Sequence, residues 1–415
     1  MTDNLINTRI GKFVISYLII TYIIYLFLPT VGMHTEDMHE MYTIIFLTLC
    51  CISFYCGCRS VPIRKQYYFS KKSKFTLGNG TLAILISTFT IITFSYLGDM
   101  ISSGVAQMSI SMGDNYANML ENEMNFNSFW GQLYTLLSPF RVLLVTYCIV
   151  FFKSLTKFNF ILLIGLLFSY LMLTISRGQF VGIGNVAVFI SIPLLFKNWV
   201  EGNIGRFKKQ ILIIGVVFIA LFIINQFARS ESLGSDFASS YDNESVFFQI
   251  FGPKVGAGII RLLSYFSHGY KGLNYSLQLP FEWTYGYGGS RALGGYMNQY
   301  FGLPTYFEAT YPMRVLNAFG YDCQTSWPTA FAWWASDFSF PGVVVFMYFI
   351  GKLFCLVFRD ACYYLDIVAI SFLCELSILV FFMPMNNQAF QTRESLLITV
   401  FLFLAWIYRR KLRKI

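Results

Sequence analysis

Residues 211–227 read ILIIGVVFIALFIINQF, an unbroken apolar run with no charged side chain. The run is continuous rather than alternating, so it reads as a helix, and its length suits a hydrocarbon core about 30 Å thick. Similar runs recur along the chain. Ten spans are expected: 13–29, 41–58, 80–98, 133–152, 158–175, 180–196, 211–227, 341–358, 361–383 and 395–410. Only helices or closed barrels satisfy their backbone within a bilayer, and these runs lack the alternation of barrel strands. Composition agrees, with 415 residues that are 56% hydrophobic and 12% charged, about half the charge of a globular domain. The expected fold is an all-α polytopic membrane protein. Phe13–Pro29 reads as an uncleaved first span behind Arg9 and Lys12.

Beyond Phe227 the spanning pattern stops and does not resume until Pro341. Three regions follow: 1–227 with seven spans, a large loop over 228–340, and 341–415 with three spans and a basic tail. Counted with the N-terminus inside, cytoplasmic segments and span ends carry 21 of the 30 Lys and Arg. Ten spans return the C-terminus to the same side, where Arg409, Arg410, Lys411, Arg413 and Lys414 belong. Both termini are therefore expected in the cytoplasm and the large loop outside. The net charge of +9 is mostly this inside bias and is no argument for nucleic acid.

Outside, the chemistry of the cations changes. Nine basic residues lie beyond the cytoplasmic set, and seven are arginine: Arg141, Arg177, Arg229, Arg261, Arg291, Arg314 and Arg393. The inner set is mostly lysine. A guanidinium is a planar fork matched to phosphate and carboxylate, whereas an ammonium is a point charge. Keeping arginine while shedding lysine points to an anion bound near the outer surface, or to pairing with loop carboxylates such as Asp242, Glu244 and Asp322. Arg177 sits in Ser176-Arg177-Gly178 at the outer end of the fifth span and reads as a substrate contact. Arg141 and Glu375 lie within spans, where charge is costly, and read equally as an ion pair or as functional groups.

His268 is the only histidine outside the first hairpin loop and the first choice for acid or base, ahead of Glu282, Glu308, Asp322 and Asp337. It follows Pro253–Ser267, whose apolar residues Val255, Ile259, Leu262, Leu263 and Phe266 have helical spacing. That segment reads as an amphipathic helix on or in the bilayer surface. Trp283–Arg291 (WTYGYGGSR) is too glycine-rich for a regular helix. Trp327, Trp333 and Trp334 read as an interfacial belt before the next span. The loop holds 27 aromatics, which could stack on sugars or anchor it at the interface. The other outer segment, 99–132, is acidic. The nine cysteines and the His34–His39 hairpin match no strong metal motif, and no internal repeat stands out.

Topology, outer arginines and several short stretches together resemble the O-antigen polymerases (Wzy type) of bacterial envelope polysaccharide synthesis. The stretches are Ser176-Arg177-Gly178, Tyr265–Gly272 (YFSHGYKG), Pro341-Gly342, and the spacing Arg-x10-Gly, found as Arg261…Gly272 and Arg291…Gly302. Both copies share one loop here, where that family usually places them in two. The resemblance implies a GT-C-like helical bundle in the bacterial inner membrane with its large loop in the periplasm. It implies a glycosyltransferase that joins undecaprenyl-pyrophosphate-linked oligosaccharides without metal or cofactor, beside a chain-length regulator protein. Arg261, Arg291 and Arg177, with Arg314 next, would face the pyrophosphate, His268 would take the acceptor proton, and Arg229 and Tyr270 would contact substrate. An O-antigen ligase acting on lipid A–core is the nearest alternative, followed by a lipid-linked oligosaccharide flippase or transporter and by a non-catalytic scaffold.

Overall fold

A computed structural model of the chain describes residues 3–28, 37–62, 79–102, 129–151, 156–176, 180–233, 246–321 and 327–412. Regular structure among them is helical, with no strand. The first seven helices are α1 (Asp3–Phe27), α2 (Asp37–Arg59), α3 (Asn79–Ser102), α4 (Phe129–Val150), α5 (Lys157–Ser176), α6 (Phe180–Val200) and α7 (Ile204–Leu233). Five short helices follow: α8 (Val246–Phe251), α9 (Pro253–Tyr265), α10 (Gly269–Leu277), α11 (Arg291–Phe301) and α12 (Tyr311–Phe319). The chain closes with α13 (Ala330–Tyr364), α14 (Ile367–Phe382), the single turn α15 (Gln388–Gln391) and α16 (Arg393–Leu412).

Among the described residues, eight helices are long and apolar enough to cross a membrane: α1 to α7 and α13. The side chains they expose are apolar as well, Leu212 at 69% and Ile213 at 61% on α7 being examples. A face of that kind is stable only against hydrocarbon or another apolar surface. The protein is thus suited to a membrane by both composition and surface. α14 is apolar but shorter, and α16 covers the range of the tenth expected span.

The start of α13 adds to the sequence reading. A first helical stretch begins at Ala330, is interrupted at Ser339 (φ 61°, ψ 165°), and the helix resumes with Pro341 in its first turn, where the span was expected to begin. Proline lacks the N–H that an interior helix position must donate, so a break two residues before it, which puts it in a first turn, is where it fits. Trp333 and Trp334 consequently lie inside a helix. Both are buried, Trp333 between Trp327 (5.8 Å) and Phe307 (6.1 Å), and they form no exposed belt.

Two compact units make up the chain. The first comprises Met1–Tyr67, Ala238–Arg359 and Glu375–Leu396, and the second Tyr68–Phe237, Asp360–Cys374 and Leu397–Ile415. In the first, α2 and α13 cross almost backbone to backbone. A Cβ on Gly57 would lie 2.0 Å from the carbonyl oxygen of Tyr348, and one on Gly351 would lie 2.2 Å from that of Phe54. Small residues permit such approach, which is the usual basis of helix association in lipid. In the second unit, α3, α4 and α5 share a core that includes Phe89, Tyr96, Tyr134 and Tyr170. Arg141 is buried there against aromatic faces, its Nη1 bonded to the Tyr134 hydroxyl and its Cζ 4.6 Å from the centre of the Tyr170 ring.

Candidate functional site

The first unit brings the loop helices against the segment that joins α14 to α16. Gly252, in a left-handed conformation (φ 73°), and Pro253 open α9. Pro253 sets the first-turn φ without wasting an N–H. The helix ends at Tyr265, and a turn over 266–268 leads directly into α10, so Gly269 starts a second helix as well as following the first. Gly269 is there because nothing larger fits: a Cβ would sit 2.2 Å from the carbonyl oxygen of Pro384 and 3.0 Å from the amide of Thr329. The Thr329 amide donates to the Gly269 carbonyl (3.3 Å), and that of Ala330 donates to Met383 (2.9 Å). Three distant stretches thereby fix the backbone beside His268.

His268 Nδ1 lies 3.0 Å from the carbonyl oxygen of Ser264. A carbonyl can only accept, so Nδ1 carries the proton and the neutral ring presents Nε2 as an acceptor. Nε2 is enclosed and has no hydrogen-bond partner among the described residues. Burial lowers the pKa of the ring, against smaller opposing effects from the carbonyls of Ser264 and Tyr265. A neutral imidazole with a bare Nε2 is the form a general base needs.

A second constellation surrounds the glycine turn before α11. The amides of Gly286 (3.1 Å) and Gly288 (3.2 Å) and the Thr284 hydroxyl all donate to Oδ1 of Asp337, and the Gly289 amide donates to Oδ2 at 2.9 Å. Such a concavity of amides suits an anion, and here the protein supplies its own. The next residue, Ser290, caps α11 by accepting from the Leu293 amide (3.1 Å) and donates to the carbonyl of Phe390. Asn387 donates to the Gly289 carbonyl at 2.9 Å.

Arg291, the first residue of α11, is exposed, its guanidinium 5.4 Å from the centre of the Phe307 ring. Arg393 lies over Tyr296 of the same helix (5.0 Å) and donates to Gln299 (2.8 Å). The Arg291…Gly302 spacing coincides with α11 itself, since Gly302 is its left-handed C-cap (φ 65°). The matching Gly272 instead packs within α10 against Pro328. One spacing therefore has two structural meanings.

The other sequence candidates are distributed as follows. Arg261 is partly buried on α9. Arg314 pairs with Glu282 (2.9 Å) and donates to the Pro280 carbonyl (2.9 Å), so its fork is engaged within the protein. Tyr270 is fully buried, its hydroxyl 2.9 Å from Thr21 Oγ1 and its ring edge-on to Tyr22 at 5.2 Å, which makes it a packing residue in this structure. Arg229 lies near the end of α7, with its side chain outside the described residues, and Arg177 lies outside them altogether. So do Asp242, Glu244, Asp322, Cys323, His34 and segment 103–128.

Sequence reasoning passed over Thr329, Asn387 and Gln391, and took Trp333 only for an interfacial ring. Each is at least partly buried and holds a buried polar atom with no partner among the described residues: Thr329 Oγ1, Trp333 Nε1, Asn387 Oδ1 and Gln391 Oε1. Unmet polar atoms of this kind cost about 1–3 kcal/mol each, so four in one region is hydrogen-bonding capacity held in reserve. The available signal was the run Asn386-Asn387-Gln388-Ala389-Phe390-Gln391, rich in amides inside a short connection. Among the described residues no group of three or more His, Cys, Asp or Glu could hold a metal ion. Neither a protein-family model, nor a curated protein, nor a solved structure matches this sequence.

Proposed function

We propose that the chain is a glycosyltransferase of the O-antigen polymerase type, acting at the outer face of a bacterial inner membrane through ten spans with both termini cytoplasmic. The observation that carries this reading is His268: a ring whose Nδ1 is held by the Ser264 carbonyl and whose enclosed Nε2 has no partner among the described residues, on a loop that keeps arginine and sheds lysine. The substrates are undecaprenyl-pyrophosphate-linked oligosaccharides. The acceptor hydroxyl oxygen attacks the anomeric carbon of the donor sugar and gives its proton to His268 Nε2. The bond from that carbon to the phosphate oxygen breaks, and undecaprenyl pyrophosphate leaves with the electron pair. Arg261 and Arg291 oppose the charge that grows on the leaving group, a role for preorganised cations. Arg177, Arg229 and Arg314 are second candidates for the same charge, and a chain-length regulator is the expected protein partner.

The test is a gel of surface polysaccharide from a deletion strain, complemented with wild type, Arg261→Ala, Arg291→Ala or His268→Ala at equal expression. A ladder that collapses to core plus one unit, and that only the wild type restores, supports the polymerase. Loss of the single capped unit as well points to a ligase or flippase. An unchanged ladder in the deletion strain sinks the enzyme reading.

A further inference from the structure

Four aromatic rings of the loop form one run of tilted and edge-on contacts. Trp283 meets Tyr285 at 4.8 Å, Tyr285 meets Tyr306 at 4.6 Å, and Tyr306 meets Tyr287 at 5.6 Å. Tyr287 is the inner end, buried and tied by its hydroxyl to the Pro304 carbonyl (2.9 Å). Trp283 and Tyr285 are the outer end, 57% and 54% exposed.

The two middle tyrosines are both in left-handed backbone, Tyr285 at φ 57° and Tyr306 at φ 50°. Bulky side chains rarely adopt this region, and where they do the surroundings must hold them there. For Tyr285 the means is visible: its neighbours Thr284 and Gly286 are both bonded to Asp337. A ring that only anchors a loop in lipid headgroups needs no such constraint. Holding exposed rings rigid instead suits a ligand that must be met face-on, and Arg291 lies beside Phe307, the residue after Tyr306.

We infer that this run of rings is a saccharide platform: Trp283 presents its outer face to a sugar ring of the oligosaccharide or growing chain, Tyr285 supports it, and the position close to Arg291 leads that chain toward the reacting end. The inference rests on the proposed function for the identity of the sugar chain, and on the geometry of the rings for the site. Aromatic faces take the apolar faces of sugars, while the tyrosine hydroxyls and the tryptophan N–H remain available for hydrogen bonds.

The experiment measures saturation transfer from the protein in nanodiscs to the host's own surface polysaccharide, released from lipid by mild acid. Wild type, Trp283→Phe, Trp283→Ala and Tyr285→Gly are compared, the glycine variant being compatible with the left-handed backbone. Wild type and Trp283→Phe should bind alike, with Trp283→Ala about tenfold weaker. Equal binding by Trp283→Ala overturns the platform, as does absence of binding by the wild type. In nanodiscs of brominated phosphatidylcholine, quenching of the emission lost in Trp283→Phe would show a ring sunk in lipid, and would also overturn it. The gel of the deletion strain judges the polymerase separately: binding lost in Trp283→Ala beside an unchanged ladder keeps the platform and removes the polymerase.

Discussion

Oδ2 of Asp337 accepts the backbone amide of Gly289 at 2.9 Å, and that one carboxylate also holds Thr284, Gly286 and Gly288. Asp337 is therefore a clamp on the turn that delivers Ser290 and Arg291 to α11, rather than a free base. Asp337→Asn removes the charge and one acceptor oxygen and should cost about 2 kcal/mol of stability. A lowered thermal midpoint in detergent, with the ladder weakened in proportion to folded protein, is the expected result. An unshifted midpoint would contradict the clamp.

Arg291 and Arg314 should behave oppositely. Arg314 is bonded to Glu282 and Pro280, while Arg291 is exposed with its cation over Phe307. Arg314→Ala should lower stability by up to about 1 kcal/mol, since the Glu282 side is open to solvent. Arg291→Ala should leave the midpoint within about 0.5 kcal/mol of wild type and abolish the long polymer. Similar midpoints for both variants, with the ladder intact in both, would remove Arg291 from the site.

His268 gives a pH dependence whose sign is fixed by burial. Its pKa is lowered from the ordinary value near 6.5, so the folded protein disfavours the protonated ring. Protonation in the unfolded state then makes folding less favourable as pH falls below about 6.5, and the penalty is complete below the folded pKa. A base that must be neutral should give a polymerisation rate that is level above about pH 6.5 and falls only at lower pH. A rate still rising between pH 7 and 8 would assign the proton to another group.

Gly269 tests the positioning of that ring. Gly269→Ala forces a methyl group against the Pro384 carbonyl, and overpacking of this kind costs about 1–3 kcal/mol. The protein should still reach the membrane, but with polymer lost to a degree approaching that of His268→Ala. Retention of a full ladder would show that the backbone beside His268 can shift without consequence.

The α2–α13 crossing can be probed without touching the loop. A side chain at Gly57 or Gly351 meets backbone oxygen at about 2 Å, which no rotamer relieves. Gly57→Leu and Gly351→Leu should each sharply reduce the yield of folded protein, whereas Gly165→Leu, with open space around its Cβ position, should not. Equal yields would place the close approach in doubt.

Much of the framework was legible because a membrane imposes one rule on every span. The run at 211–227 lies inside α7, and Pro253 marks the start of α9 by the same backbone logic that predicted it. Helix edges were less legible: α7 continues to Leu233, since hydrogen bonding extends a helix past the end of its apolar stretch, and α13 carries a separate helical stretch from Ala330 before its break at Ser339. The site was harder still. Tyr270 looked like a binding residue in a suggestive stretch, yet it packs on Thr21 and Tyr22, about 250 positions away in the chain. Asn387 went unnoticed, and Trp333 was read only as an interfacial ring, because their unmet polar atoms become visible only when Gly289 is placed beside them. Pairing across such distances leaves no trace in local periodicity.

The first unit is assembled from Met1–Tyr67, Ala238–Arg359 and Glu375–Leu396. During synthesis its first two helices emerge early, and then wait while all of Tyr68–Phe237 passes through the ribosome. Neither Gly57 nor Tyr17 can meet its partner, Tyr348 or Phe381, until synthesis has passed those positions, about 290 and 360 residues later. Nascent chains halted before residue 340 should therefore leave α1 and α2 open to quality-control proteases, and α13 and α14 decide whether the first two survive.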